Sequence, residues 1–138
     1  MNDKDIEFYL NLALSEAEKA KNIGEVPIGA IVVNNEKTII GKGHNLTENQ
    51  CDPTAHAEII AIQSASKQIG DWRLNNFILI STIEPCPMCL AAAKEARINR
   101  IYFGNESNIK SKEDSIILSN LKDVKCEEII KQFFKVLR

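Results

Sequence analysis

No run of eighteen apolar residues occurs in the 138-residue chain, and this excludes a membrane-spanning helix. The start, Met1-Asn2-Asp3-Lys4-Asp5, is charged and lacks the apolar core of a secretory signal. Cysteine is sparse: there are four, two of them in one short motif. That usage argues against a disulfide framework and for a reducing cytoplasm. The net charge is only −2, so nothing in the overall balance drives the chain toward nucleic acid, and any RNA contact must come from a local patch. Internal repeats, linkers and low-complexity stretches are also missing. What remains is an ordinary globular composition, 44% hydrophobic and 26% charged. It suits one domain over residues 1–138, long enough to bury a core.

Periodicity places the elements. Residues from about Lys4 to Asn22 read as an amphipathic helix, with Ile6, Leu10, Ala13, Leu14 and Ala17 at helical spacing and Gly24 as its stop. Ile28 to Val33 is a β-branched run, Asn34-Asn35-Glu36 a hairpin turn, and Thr38 to Gly41 the returning strand. A second helix runs from about Thr54 to Gly70, with Asp52-Pro53-Thr54 as its start signal. Phe77 to Ser81 is a continuous apolar strand, expected to be buried on both faces. A helix follows at once, and then a strand from Arg100 to Gly104. Strand, helix and strand make a βαβ unit with a right-handed parallel crossover. Asn105 to Asp114 reads as a solvated loop, Ser115 to Leu121 as an apolar segment of undecided type, and Cys126 to Leu137 as a closing helix. The sum is an α/β sandwich whose mixed sheet opens with an antiparallel hairpin.

The chemistry concentrates in two short elements. His56-Ala57-Glu58 is followed by Pro85-Cys86-Pro87-Met88-Cys89. H-x-E followed by P-C-x-x-C is the signature of the zinc-dependent nucleobase deaminases, and the match is one of recognition. The residue types suit the chemistry. Catalytic zinc keeps three protein ligands and one open position, and His56, Cys86 and Cys89 supply three. Cys86 and Cys89, three residues apart, share one helical face. A thiolate at a helix N-terminus is favoured by the unpaired N–H groups and the helix dipole. Glu58, two residues past His56, points off the His direction, yet its carboxylate can reach a water activated by the metal and shuttle its proton. A CxxC pair alone would equally suit a closed zinc knuckle or a redox pair. A closed knuckle needs a fourth ligand, for which Cys51, His44 and Cys126 are candidates. The two elements together, in this order, favour the open catalytic site.

The flanking stretches extend the likeness. Gly24-Glu25-Val26-Pro27-Ile28-Gly29-Ala30, His44-Asn45-Leu46, Asp52-Pro53-Thr54-Ala55-His56-Ala57-Glu58, Asp71-Trp72-Arg73-Leu74, Glu84 to Cys89, Arg97 to Gly104 and Phe133 to Arg138 resemble the bacterial tRNA-specific adenosine deaminases of the cytidine deaminase-like superfamily. The resemblance implies a three-layer α-β-α sandwich around a central mixed five-stranded sheet. It implies Zn2+ held by His56, Cys86 and Cys89, with Glu58 as the proton shuttle. It further implies Asn45 hydrogen-bonded to a flipped nucleotide, the Ala57 backbone against the base edge, and Val26 and Pro27 lining the pocket. The implied reaction converts adenosine to inosine at the wobble position of a tRNA anticodon loop, in a cytoplasmic homodimer whose subunits both contact the loop. Flipping a base that is already single-stranded costs little. The stretch after Gly104, Asn105-Glu106-Ser107-Asn108 onward, is shorter than the family pattern in a region that shapes the RNA-facing rim. Cys86-Pro87-Met88-Cys89-Leu90 also resembles the free guanine and cytosine deaminases of the superfamily. A third reading, of another class, is a non-catalytic zinc-stabilised RNA-binding protein, which would have no use for Glu58.

Other conspicuous residues have plainer readings. His44, in a turn-like Gly41-Lys42-Gly43-His44 stretch, is expected at a surface or rim. Cys51 is expected as a free thiol near the site, Cys126 as a small core residue, and Trp72 as packing beneath its loop. Lys94, Arg97 and Arg100, and Lys131, Lys135 and Arg138 on the last helix, read either as solvated faces or as phosphate contacts. Phe133 and Phe134 read as core, with one of the pair free to cap the active-site rim.

Overall fold

A computed structural model of the chain describes residues 1–110 and 112–137. The first helix, α1 (Asp3–Asn22), begins where Asn2 accepts a hydrogen bond from the Asp5 N–H at 2.9 Å. Asp3 and Asp5 in its first turn and Lys19 and Lys21 in its last complement the helix dipole. Of the stripe the spacing predicts, Ile6, Leu10, Ala13 and Ala17 are buried, while Leu14 is only partly buried at its edge. Gly24, at φ 82°, turns the chain out of the helix.

The sheet contains β1 (Gly29–Val33), β2 (Ile39–His44), β3 (Ile78–Ser81), β4 (Arg100–Phe103) and β5 (Ile117–Asn120), in the order β2-β1-β3-β4-β5. β1 pairs antiparallel with β2 and β3, while β3-β4 and β4-β5 are parallel. Alternation assigns the two faces. Ala30, Val32, Leu79 and Ile101 pack with Ala57, Ala61 and Ala65 of α2 (Ala57–Ile69) and Leu90 and Ala93 of α3 (Pro87–Glu95). Ile31, Val33 and Ile80 pack with Tyr9 and Leu10 of α1 and Cys126 of α4 (Val124–Leu137). The result is the expected three-layer sandwich around a mixed five-stranded sheet, and it explains why every residue of β1 is buried.

Two glycines set how closely the helices approach. A Cβ on Gly29 would collide with the Ala13 carbonyl of α1, and one on Gly43 with the Ala57 carbonyl at the start of α2. Small residues on both sides therefore seat α1 against β1 and the first turn of α2 directly on β2.

Several boundaries differ from the sequence reading. α2 starts at Ala57 rather than Thr54, because Asp52 Oδ1 accepts from the Thr54 N–H and hydroxyl, at 2.8 and 2.7 Å, and holds 52–54 in a turn. β2 runs on to His44, which pairs with Gly29; His44 is a strand residue, and its ring Nδ1 lies 3.2 Å from Glu16 Oε1. The apolar segment after Ser115 contains the edge strand β5. Trp72 is not beneath its loop. It is half exposed, with the guanidinium groups of Arg73 and Arg97 at 4.5 and 5.3 Å from its ring. Leu74, fully buried, takes the inward place and donates its N–H to the Ala96 carbonyl at 2.7 Å. Cys126 is buried as expected. Lys131 pairs with Glu127 at 2.5 Å and Lys94 with Glu113 at 3.4 Å, so neither cation is unpaired. Arg138 and the Leu137 side chain lie outside the described residues.

Candidate active site at two helix starts

His56 and Cys86 occupy equivalent places, each the extended residue immediately before a helix: φ −76°, ψ 154° before α2 and φ −70°, ψ 168° before α3. Residues at this position ordinarily fold a side-chain oxygen back onto the first N–H groups. Here neither side chain makes a capping bond, and both turn toward each other. Pro87, whose ring suits the first helical position, starts α3 and fixes the Cys86 backbone. Cys89 follows in the first turn of the same helix, fully buried.

His56 Nδ1 stands 3.6 Å from Cys86 Sγ and 3.5 Å from Cys89 Sγ, and the three donor atoms all lie within 4.8 Å of one another. Zinc bonds of about 2.3 Å to sulfur and about 2.0 Å to nitrogen, at a tetrahedral angle, separate such donors by about 3.6 Å. The set of one imidazole and two thiols therefore fits a metal in both spacing and chemistry. Cys51 and His44 stand outside this group; Cys51 is exposed, with its thiol 3.7 Å from the Glu48 carbonyl.

Glu58, in the first turn of α2, is buried beside these donors. Burial pushes its carboxyl up to about 7, against smaller opposing hydrogen bonds from its own N–H and from the Cys89 thiol. Burial, then the neighbouring Glu58 and Cys86, push the Cys89 thiol far above its ordinary value. Buried and close together, Glu58 and the Cys89 thiol each favour the neutral form; a cation bound among the donors would reverse that preference for the thiol.

A cavity of about 440 Å³ opens beside His56. One wall combines Gly24, Glu25 and Val26 with Asn45, Thr47 and Glu48, and Phe133 and Phe134 of α4 line it as well. Of the residues the resemblance points to, Val26 and Asn45 line this cavity with His56. Ala57 and Pro27 are buried and outside its lining. Sequence reasoning quotes Glu25 only within the family-like stretch from Gly24 to Ala30, without a role, and does not single out Thr47 or Glu48. The Glu25 carboxylate accepts the Glu48 N–H at 3.2 Å, the Asn49 N–H at 2.7 Å and the Asn49 side-chain amide at 2.6 Å. Burial alone would raise its carboxyl, but these bonds, with the charge of His44, outweigh burial and hold it below the ordinary carboxylate value. A larger cavity of about 530 Å³, lined by Lys94, Arg97 and Asn75 among others, receives none of the metal-type donors.

Glu84, just before Pro85-Cys86, anchors the far side of the site. Its carboxylate accepts the Ser107 N–H at 3.1 Å and the Lys110 ammonium at 3.0 Å, and its own N–H donates to the Asn105 carbonyl at 2.8 Å. The loop after Gly104 is thus tied to the strand exit that carries Cys86, not merely solvated.

Comparison with known proteins agrees with this geometry. Residues 3–105 match the family described as the cytidine and deoxycytidylate deaminase zinc-binding region. A tRNA-specific adenosine deaminase of Haemophilus influenzae is 48% identical over 71% of this chain, which spans 57% of that relative's length. One of Bacillus subtilis is 36% identical over 96% of this chain and 90% of its own length. A chain solved in work on A-to-I editing by tRNA:A34 deaminases at the wobble position of transfer RNA superposes with a TM-score of 0.82 at 34% identity, covering 89% of this chain and 99% of that one.

Proposed function

Because this chain belongs to the cytidine and deoxycytidylate deaminase zinc-binding family, and within it to the tRNA-specific adenosine deaminases, we propose that it hydrolyses the exocyclic amine of the wobble adenosine in a tRNA anticodon, leaving inosine. The observation that carries this reading is the convergence of His56 Nδ1 with the Cys86 and Cys89 thiols beside buried Glu58. As a unit we take residues 1–138 to be one deaminase domain, cytoplasmic and homodimeric. Among the described residues no helix is long and apolar enough to cross a membrane.

His56, Cys86 and Cys89 would hold zinc, leaving the fourth position open. Zinc bound there supplies Lewis acidity that brings a water's pKa toward neutrality. Glu58 would take one proton from the attacking water and pass it to the ring nitrogen, then take the remaining proton of the added hydroxyl and pass it to the leaving amine. Water adds its oxygen at C6, the C6–N bond breaks, and ammonia leaves; no organic cofactor or redox partner enters the balance. Glu58 is buried beside the donor set, out of bulk water, where a carboxylate can accept a proton and return it to the bound base. Asn45 and Val26, with the Phe133–Phe134 pair, would grip the flipped base, since all line the cavity beside His56. The anticodon loop presents its bases unpaired, so extrusion into this cavity is cheap.

The test is ammonia release from an anticodon stem-loop carrying adenosine, run beside free guanine, cytosine and adenine. Release from the stem-loop alone is expected. Release from a free base alone would move the assignment to a nucleobase deaminase.

A further inference from the structure

The wall of the cavity opposite α4 is built from two chain segments that share no strand pairing, Gly24–Val26 after α1 and Asn45–Glu48 after β2. Asn45 donates its N–H to the Ile28 carbonyl at 3.2 Å, and its Oδ1 is occupied by the Thr47 hydroxyl at 3.0 Å. Beyond Asn45 the second segment is joined to the first by the Glu25 carboxylate. That side chain is 1% exposed and takes three N–H donors from two consecutive residues, Glu48 and Asn49. Among the described residues no salt bridge reaches it; His44, whose ring Nδ1 lies 3.2 Å from Glu16, acts on it through charge without a hydrogen bond. A buried carboxylate satisfied by two backbone N–H groups and one side-chain amide, all neutral donors, fixes geometry rather than charge balance, because each bond is directional and charge-assisted.

We propose that Glu25 is a positioning residue for substrate. It bolts the Asn45–Asn49 segment to the Gly24–Val26 segment, so that Asn45, Thr47 and Val26 present one preformed wall to the incoming nucleotide. This rests on the deaminase reading of the same site. The Glu25 carboxylate bonds Glu48 and Asn49, not the metal-type donors or Glu58, so it acts on binding and leaves the proton chemistry alone. An amide at this place keeps one acceptor and sets an N–H2 group against an N–H donor. A carboxylate at position 49 would face the Glu25 carboxylate and repel it.

Glu25→Gln and, from the other side of the contact, Asn49→Asp are each compared with the wild-type zinc-loaded chain. Metal content, KM and kcat on an adenosine anticodon stem-loop, and amide hydrogen exchange at Glu48 and Asn49 are measured. Both variants are expected to keep the metal, raise KM about tenfold with kcat changed by less than about twofold, and speed exchange at Glu48 and Asn49. An unchanged KM with unchanged exchange overturns the inference, as does a fall in kcat matched by loss of metal, which would mark a general structural role. A wild-type chain that does not turn over the stem-loop overturns the substrate reading instead. Exchange at Glu48 and Asn49 then decides the clamp by itself: faster in both variants supports it, unchanged overturns it.

Discussion

His56 and Cys89, separated by 33 residues, bring Nδ1 and Sγ to 3.5 Å, closer than any chain-local constraint requires. The closure depends on α2 and α3 starting side by side on one face of the sheet, each with a metal-type donor at or next to its first residue. Replacing any one donor should empty the site. His56→Ala, Cys86→Ser and Cys89→Ser are each expected to lower bound zinc from about one per chain to below about a tenth, and to lower the melting temperature with it. Metal analysis and thermal unfolding of the purified variants check both.

Glu58 should separate metal binding from turnover. Glu58→Gln is expected to retain zinc while losing roughly 10²–10⁴-fold in kcat. Equal zinc content with unimpaired kcat would remove Glu58 from the proton path.

The same residue gives a pH signature in the metal-free chain. Its carboxyl sits near 7 when folded, against an ordinary 4.5. A raised value means that the folded state holds the proton longer than the unfolded state. Stability is therefore undiminished below about 4.5 and declines as pH climbs to about 7. Glu58→Gln, which cannot ionise, should match the wild type at pH 4 and exceed it above pH 7 by about 3 kcal/mol. Denaturant unfolding of both metal-free proteins across this range reads the difference.

The core elements and the donor set were legible in the sequence because they rest on local signals. The α1 stripe, the β-branched run of β1 and the two motif elements each carry their own pattern. The helix starts were less legible: Asp52-Pro53-Thr54 reads as a helix cap, yet its Asp52 bonds close a turn three residues early. His44 was misplaced because its glycine-rich surroundings look like a turn. In the fold those glycines are a strand pressed against α2, where a Cβ on Gly43 would strike the Ala57 carbonyl. The role of Glu25 is not legible in the sequence, because its partners lie 23 and 24 residues away in a loop with no periodicity.

That close approach is itself testable. Gly43→Ala forces β2 and the start of α2 apart, at an expected cost of about 1–3 kcal/mol. Because His56 and Glu58 flank that contact, weaker zinc retention should accompany the loss. Denaturant unfolding with and without zinc, followed by metal titration, measures both.

The Phe133–Phe134 pair, edge to face at 5.4 Å, borders the cavity from α4. Phe134→Ala is expected to raise KM for the stem-loop by about 5- to 100-fold, the range for losing one base-stacking contact, while leaving kcat nearly unchanged. Steady-state kinetics on the stem-loop decide it.

The central claim is tested most directly by mass-spectrometric identification of the wobble nucleoside in an anticodon stem-loop, after incubation with the zinc-loaded chain and, in parallel, with its Glu58→Gln variant. Inosine is expected with the wild type and adenosine with the variant. Adenosine left intact by a fully zinc-loaded wild-type chain would contradict the account.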